Sequence, residues 1–134
     1  KAFSKELDKT GYDEPSVFGI VAATAAYSEG ADWFDSVKSY IWENILFAKN
    51  YIEENASQIK VLVPEGTYLL WLDFRAFGLT KEALEEKMIK EALWFTDEGY
   101  LFGDGGIGFE RINLACPTWV LEEALLRLRK AFDR

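Results

Sequence analysis

From Trp33 through Val37, Tyr40, Ile41, Ile45 and Ala48 to Ile52, apolar residues recur at three- and four-residue steps. That period predicts one amphipathic helix of more than twenty residues, approaching ~30 Å in length. The chain has 134 residues, which fits one domain and leaves little room for two. So long a helix in so short a chain reads as a bridge between domains rather than a member of a compact bundle. Past Lys60 the period drops towards two, so whatever the helix leads into is built on a sheet.

The flanking punctuation supports that division. Residues 1–15 are mixed and polar, and Gly11, Asp13 and Pro15 disfavour a continuous helix there. Ser16 is placed to cap a helix through Val17, Ile20, Val21, Thr24 and Ala25, with Gly30 as its stop. Asp32 is the expected N-cap of the long helix. Lys60–Val63 and Tyr68–Phe74 read as strands across a Pro64-Glu-Gly-Thr67 loop. Thr80 should cap a further helix through Leu84, Met88 and Ala92. Leu93–Thr96 is an expected short strand, and Asp97-Glu-Gly99 a turn. A glycine-rich loop, Gly103–Gly108, feeds a last strand, Phe109–Ala115, with Phe109, Arg111, Asn113 and Ala115 on one face. Pro117 halts it and Thr118 is the expected cap of a closing helix with the stripe Leu121, Ala124, Leu125, Leu128, Phe132. The class is α+β: a small, mostly antiparallel sheet packed by helices, preceded by a long connecting helix.

Composition removes several kinds of chemistry. There is no histidine, so Ser-His-Asp and Cys-His catalysis and histidine-bearing zinc sites cannot be built within this chain. The single cysteine forms no intrachain disulfide and suits a reducing compartment, the cytoplasm. A net charge of −8 repels phosphate backbones and anionic lipid, which argues against nucleic-acid and membrane-surface partners. No run of 18 apolar residues reads as a membrane span, and the apolar stretch Val17–Tyr27 follows a charged, Pro-interrupted leader, unlike a signal peptide. The chain opens Lys1-Ala2-Phe3 and its only methionine is Met88, so it reads as a piece of something longer.

Gly103-Asp-Gly105-Gly-Ile-Gly108 matches G-x-G-x-x-G formally, but a strand follows it where a dinucleotide site needs a helix. Close approach of backbone or ligand explains the glycines better. Arg111 stands in an otherwise apolar strand directly after that loop, and a guanidinium there needs an anionic partner. Two partners satisfy the requirement, a ligand carboxylate or phosphate, or an Asp or Glu of the chain itself, unless the strand is an edge that leaves the guanidinium in solvent. Cys116, with no histidine to activate it, reads as a small apolar residue. Asp73 and Arg75 read as a surface pair contributing well under ~1 kcal/mol. Asn55-Ala-Ser57 is a glycosylation sequon without secretory context. The acidic residues Glu82, Glu85, Glu86, Glu122 and Glu123 read as solvated helix faces. No catalytic constellation and no metal site is visible.

Two strings carry a resemblance: Val63-Pro-Glu-Gly-Thr-Tyr-Leu-Leu-Trp-Leu-Asp-Phe-Arg75 and Phe102-Gly-Asp-Gly-Gly-Ile-Gly-Phe-Glu-Arg-Ile-Asn-Leu-Ala-Cys-Pro117. With Ser16-Val-Phe-Gly19, Ala25-Ala-Tyr27, Trp33 and Leu121-Glu-Glu-Ala-Leu125, they resemble the C-terminal part of fold-type-I pyridoxal-phosphate (PLP) enzymes. Within the class I/II aminotransferases they are most similar to the cystathionine β-lyase-like group that cleaves C–S bonds. The resemblance covers nearly the whole chain. It implies a homodimer whose subunits have a large cofactor domain and a small C-terminal domain. Residues 1–30 would end the large domain, and 31–134 would form the connecting helix and the small domain. It implies further that Arg111, in the R-x-N-x-A-C-P strand, grips the α-carboxylate of an amino-acid substrate, and that Phe102, Gly103 and Gly108 belong to a loop beside it.

The family's Schiff-base lysine, pyridine-pairing aspartate and phosphate-binding residues lie in earlier segments and have no counterpart here. The resemblance therefore implies a substrate-binding part of a PLP-dependent aminotransferase or cysteine-S-conjugate/cystathionine β-lyase, inactive alone and with no catalytic residue of its own. The alternative is a free-standing, non-catalytic module that binds carboxylates or a protein.

Overall fold

The computed structural model describes residues 2–11 and 15–133. They fall into two compact units, residues 1–37 and 38–134. The first holds helix α1 (Ala2–Thr10), helix α2 (Val17–Glu29) and the opening turns of α3 (Ala31–Asn55). Helix α1 stops at Gly11, the first of the residues expected to break a continuous helix there. Its nine residues contain no Gly or Pro, and Gly11, at φ +59°, ends the helix rather than preventing it. Asp13 lies outside the described residues.

Helix α2 has the expected ends. Ser16 Oγ accepts from the Gly19 amide at 3.1 Å, and the Gly30 amide donates to the Ala26 carbonyl at 3.0 Å. Its large apolar side chains, Val17, Phe18, Ile20, Val21 and Tyr27, are all exposed. Helix α3 begins two residues earlier than expected. The Gly30 carbonyl accepts from the Phe34 amide at 2.9 Å, so Asp32 sits inside the first turn, where its charge suits the helix dipole, instead of capping it.

The second unit is an antiparallel four-stranded sheet with helices on one face. Its strands are β1 (Lys60–Leu62), β2 (Leu69–Asp73), β3 (Asp97–Glu98) and β4 (Phe109–Asn113), in the order β1-β2-β4-β3. Leu70 and Leu72 of β2 and Ile112 of β4 point into the core. There they meet Ile45, Ala48 and Ile52 of α3, and Leu84, Met88 and Ala92 from helix α4 (Lys81–Lys87) and the π-helical turn that extends it (Met88–Ala92). Thr80 caps α4 as expected, accepting from the Ala83 amide at 3.2 Å. Helix α5 (Thr118–Phe132) buries Leu121, Leu125, Leu128 and Phe132, with Ala124 partly buried among them.

Two local expectations fail for identifiable reasons. Residues 93–96 are not a strand, because Leu93 takes a left-handed conformation (φ +56°) that closes the π turn. Trp94 then turns inward and its Nε1–H donates to the Ala124 carbonyl at 2.9 Å. The third strand is instead Asp97–Glu98, where a turn was expected. Thr118 is not the cap of α5 either; Pro117 holds that position. The Thr118 hydroxyl donates to Asn44 Oδ1 at 2.9 Å.

That contact belongs to a buried junction. Asn44 is 1% exposed, and its Nδ2 donates to the carbonyls of Leu114 (3.0 Å) and Cys116 (2.9 Å). One amide thus ties α3 to the chain between β4 and α5, in a setting where unpaired polar groups are costly. Replacing Asn44 by Ala leaves the Leu114 and Cys116 carbonyls without that donor, while the Thr118 hydroxyl keeps the Tyr40 hydroxyl at 2.8 Å. The Asn44→Ala variant should lose about 2–4 kcal/mol of stability, read from urea or thermal melts; an unchanged midpoint would show the junction to be dispensable.

Candidate functional site

Alternation along the central strands sends one set of side chains away from the core. Trp71 of β2 lies opposite Arg111 of β4, Asp73 opposite Phe109, and Leu69 opposite Asn113. On the other side of β4, Asp97 of β3 lies opposite Arg111. Arg111 Nε and Nη2 both donate to Asp97 Oδ2, at 3.2 and 2.8 Å. Its side chain is 25% exposed and that of Asp97 is 52% exposed. Among the described residues no hydrogen bond engages Nη1. The guanidinium carbon lies 4.4 Å from the centre of the Phe102 ring. Of the two partners that sequence left open for Arg111, the intrachain carboxylate is therefore present, and it leaves one end of the guanidinium available.

Asp73 and Arg75 are bound more closely than a surface pair. The Arg75 backbone N–H and Nε both donate to Asp73 Oδ1 at 2.9 Å, and Nη2 donates to Oδ2 at 2.8 Å. Asp73 is buried while Arg75 stays exposed. The Arg75 hydrogen bonds hold the Asp73 carboxyl below its usual range, against the opposing effect of burial. Arg75 also lies 4.6 Å from the centre of the Phe109 ring.

The glycine-rich loop is shaped by its own backbone. A Cβ on Gly99 would come within 2.1 Å of the Gly106 carbonyl oxygen, and one on Gly106 within 2.0 Å of the Gly99 oxygen. Only glycines permit that crossing. It folds two 3-10 turns, Gly99–Phe102 and Asp104–Gly106, against each other. Gly103 joins them at φ +114°, and its amide donates to the Tyr100 carbonyl at 3.1 Å. The Gly108 carbonyl accepts from the Phe74 amide at 2.8 Å, anchoring the loop's end beside β2. Strand β4 follows the loop, as expected, and no helix is there to hold a pyrophosphate.

A groove of about 530 Å³ opens beside β4, lined by Arg111, Asn113, Thr96, Asp97, Val120 and Cys116 among others. Burial pushes the Cys116 thiol up, away from the thiolate that a nucleophile needs. Among the described residues no lysine lines the groove. Lys49, Lys87 and Lys90 are paired with Glu53, Glu91 and Glu86. The groove's residues thus suit an anion held by a guanidinium. Among the described residues no group of three or more Cys, Asp or Glu could hold a metal ion, and no helix is long and apolar enough to cross a membrane.

These features can be set beside known proteins. No protein-family model matches the chain. It is 34% identical over 131 residues to cystathionine beta-lyase PatB of Bacillus subtilis, covering 98% of the chain and 34% of that protein. A PLP-bound protein of Clostridium difficile 630 superposes with a TM-score of 0.91 at 42% identity, over 97% of this chain and 34% of that one. Cystalysin of Treponema denticola, which contains pyridoxal 5'-phosphate, superposes with a TM-score of 0.84 at 48% identity, over 87% and 29%. The chain spans about a third of the length of the relatives it matches.

Sequence reading overlooked Glu110. Its neighbours Phe109 and Arg111 face outward, so parity alone puts Glu110 on the buried face with Ile112. Glu110 is 2% exposed, and the Thr96 hydroxyl donates to its Oε2 at 2.6 Å. Burial, with Glu98, Glu85 and Asp97 nearby, pushes its carboxyl up to about 7. The folded state therefore holds this proton more tightly than the unfolded chain does. The resulting stabilisation is complete below the ordinary glutamate range near 4.5 and disappears as pH rises through about 7. A shift of that size corresponds to about 3 kcal/mol. Glu110→Gln keeps an acceptor for Thr96 and cannot ionise, so its stability should be flat between pH 5 and pH 8 while the parent's falls. Parallel slopes in denaturation at the two pH values would disprove the assignment.

Proposed function

We propose a role for this chain that starts from its family: it belongs to the fold-type-I PLP enzymes that include cystathionine β-lyases and aminotransferases. In that role it is the part that binds the α-carboxylate of an amino-acid substrate, and Arg111 is the residue that does so. The observation that carries the reading is the state of Arg111. Its guanidinium is partly exposed in a groove, held from one edge by Asp97, with Nη1 engaged by no acceptor among the described residues. Arginine's planar fork matches a carboxylate in two parallel hydrogen bonds.

What this chain contributes is binding and orientation. Arg111 fixes the carboxylate end of the substrate, which sets the direction in which the bonds at Cα point, a positioning effect rather than a chemical step. Phe102, Gly103 and Gly108 shape the loop that borders it. When bound, the cofactor supplies the electron sink for the reaction; the residues that hold it belong, in this reading, to the rest of the protein. The whole protein is then a homodimeric cytoplasmic aminotransferase or C–S β-lyase. Residues 1–30 end its large domain and residues 31–134 form the connecting helix and small domain. The exposed apolar side chains of α2 are the kind of surface such a large domain covers.

In the full-length protein, Arg111→Lys keeps the charge and removes the fork. Charge-assisted hydrogen bonds contribute about 1.5–3 kcal/mol, so kcat/KM should fall at least about tenfold. Tm should hardly move, because a partly exposed ion pair with Asp97 contributes under about 1 kcal/mol. A lowered Tm with unchanged kinetics would instead make Arg111 a structural residue, and the reading would fail.

A further inference from the structure

The arginine's plane needs more than one support. Both bonds to Asp97 end on a single oxygen, Oδ2, and that carboxylate is itself half exposed. Two donors sharing one acceptor act as a hinge: the guanidinium keeps its distance but can rock about Oδ2. A two-point grip on a carboxylate depends on the orientation of the guanidinium plane as well as its position. Something else must fix the tilt.

We propose that Phe102 is the positioning residue that sets the plane of Arg111, acting through a stack of side chains on the open face of the sheet. The Phe102 ring centre lies 4.4 Å from the Arg111 guanidinium carbon, within the range of a cation–π contact. Phe102 is in turn fixed by Trp71, whose ring meets it edge-on at 5.3 Å and 75°. Trp71 meets Phe109 at 6.4 Å and 78°, so the stack stands on the two central strands. The loop supplies the other constraint. Phe102 is the last residue of its 3-10 turn, closed by the Gly103 amide and held by the Gly99–Gly106 crossing. Phe102 is exposed and buries too little area to be explained as core. It touches no reacting atom in this account and works only through Arg111.

The inference rests on the reading of Arg111 as the carboxylate-binding residue, and the experiment separates the two. In the full-length protein, binding of L-alanine and of L-alaninamide, which lacks the carboxylate, is measured by calorimetric titration for Phe102→Leu, Phe102→Tyr and Arg111→Lys, with Tm for each. Loss of a cation–π contact at a partly exposed site should weaken L-alanine binding by about three- to tenfold in Phe102→Leu. Alaninamide binding should stay the same, and Phe102→Tyr, which keeps the ring, should bind like the parent. If Arg111→Lys weakens L-alanine binding and Phe102→Leu does not, Phe102 has no positioning role while Arg111 keeps its own. If Phe102→Leu weakens both ligands equally, Phe102 acts on the groove in general and the inference is wrong. If Arg111→Lys leaves L-alanine binding intact, the carboxylate reading fails and this one fails with it.

Discussion

Everything distinctive in the second unit depends on β4 being paired on both sides while only one of its faces is buried. Once Ile112 enters the core, Arg111 and Phe109 must face out and Glu110 must face in. A slip of one residue in register would bury Arg111 and expose Ile112, which no nearby carboxylate arrangement could offset. The hydrophobic demand of one position therefore places the guanidinium. The same demand explains why a carboxyl group, Glu110, ends up nearly sealed from water one residue away.

The open face that results is ordered without being a second core. Arginines and aromatic rings succeed one another across it: Arg75 over Phe109, Phe109 against Trp71, Trp71 against Phe102, and Phe102 beneath Arg111. Each arginine is also held by an aspartate, Asp73 or Asp97. Edge-to-face ring contacts and cation–π contacts are each modest, about 0.5–1.5 kcal/mol for ring pairs. Their value here is directional, since a ring fixed on two sides offers its face at a defined angle. The surface can stay exposed and still hold its charged groups in place.

Much of what depended on neighbours in the chain was legible in the sequence, although Asp32 and Thr118 were each read as caps that Gly30 and Pro117 hold instead. Ser16, Gly30 and Thr80 act within a turn of themselves, and the Leu121–Phe132 stripe is a simple helical period. The glycine-rich segment could be read as a close approach, although its two crossing residues proved to be Gly99 and Gly106. Errors arose where a short apolar run was ambiguous or a partner lay far away. Leu93–Thr96 has the composition of a strand, and only the left-handed Leu93 and the pull of Ala124 on Trp94 make it something else. Asn44 looks like an unremarkable helix position until its partners, some seventy residues on, arrive beside it. Asp73 and Arg75 were visible as a pair because they are two apart, but the burial of Asp73 comes from the sheet. Arg111 was conspicuous, and Asp97 as its partner was not, since cross-strand pairing carries no local signal.

The chain's charge sharpens the requirement on Arg111. At −8 overall, and with Asp97 and Glu98 on the adjoining strand, the surroundings oppose an incoming anion. Beyond about 8 Å that opposition is largely screened at physiological salt, so the distant carboxylates matter little. At contact distance the balance is local, and geometry decides it. Asp97 takes up one edge of the guanidinium through a single oxygen, and among the described residues Nη1 has no acceptor. Glu110 is turned to the buried face of β4, opposite to the one that carries Arg111. An acidic protein can then present a cationic site to an anion, provided the nearest acids are either already engaged with the arginine or turned away from it.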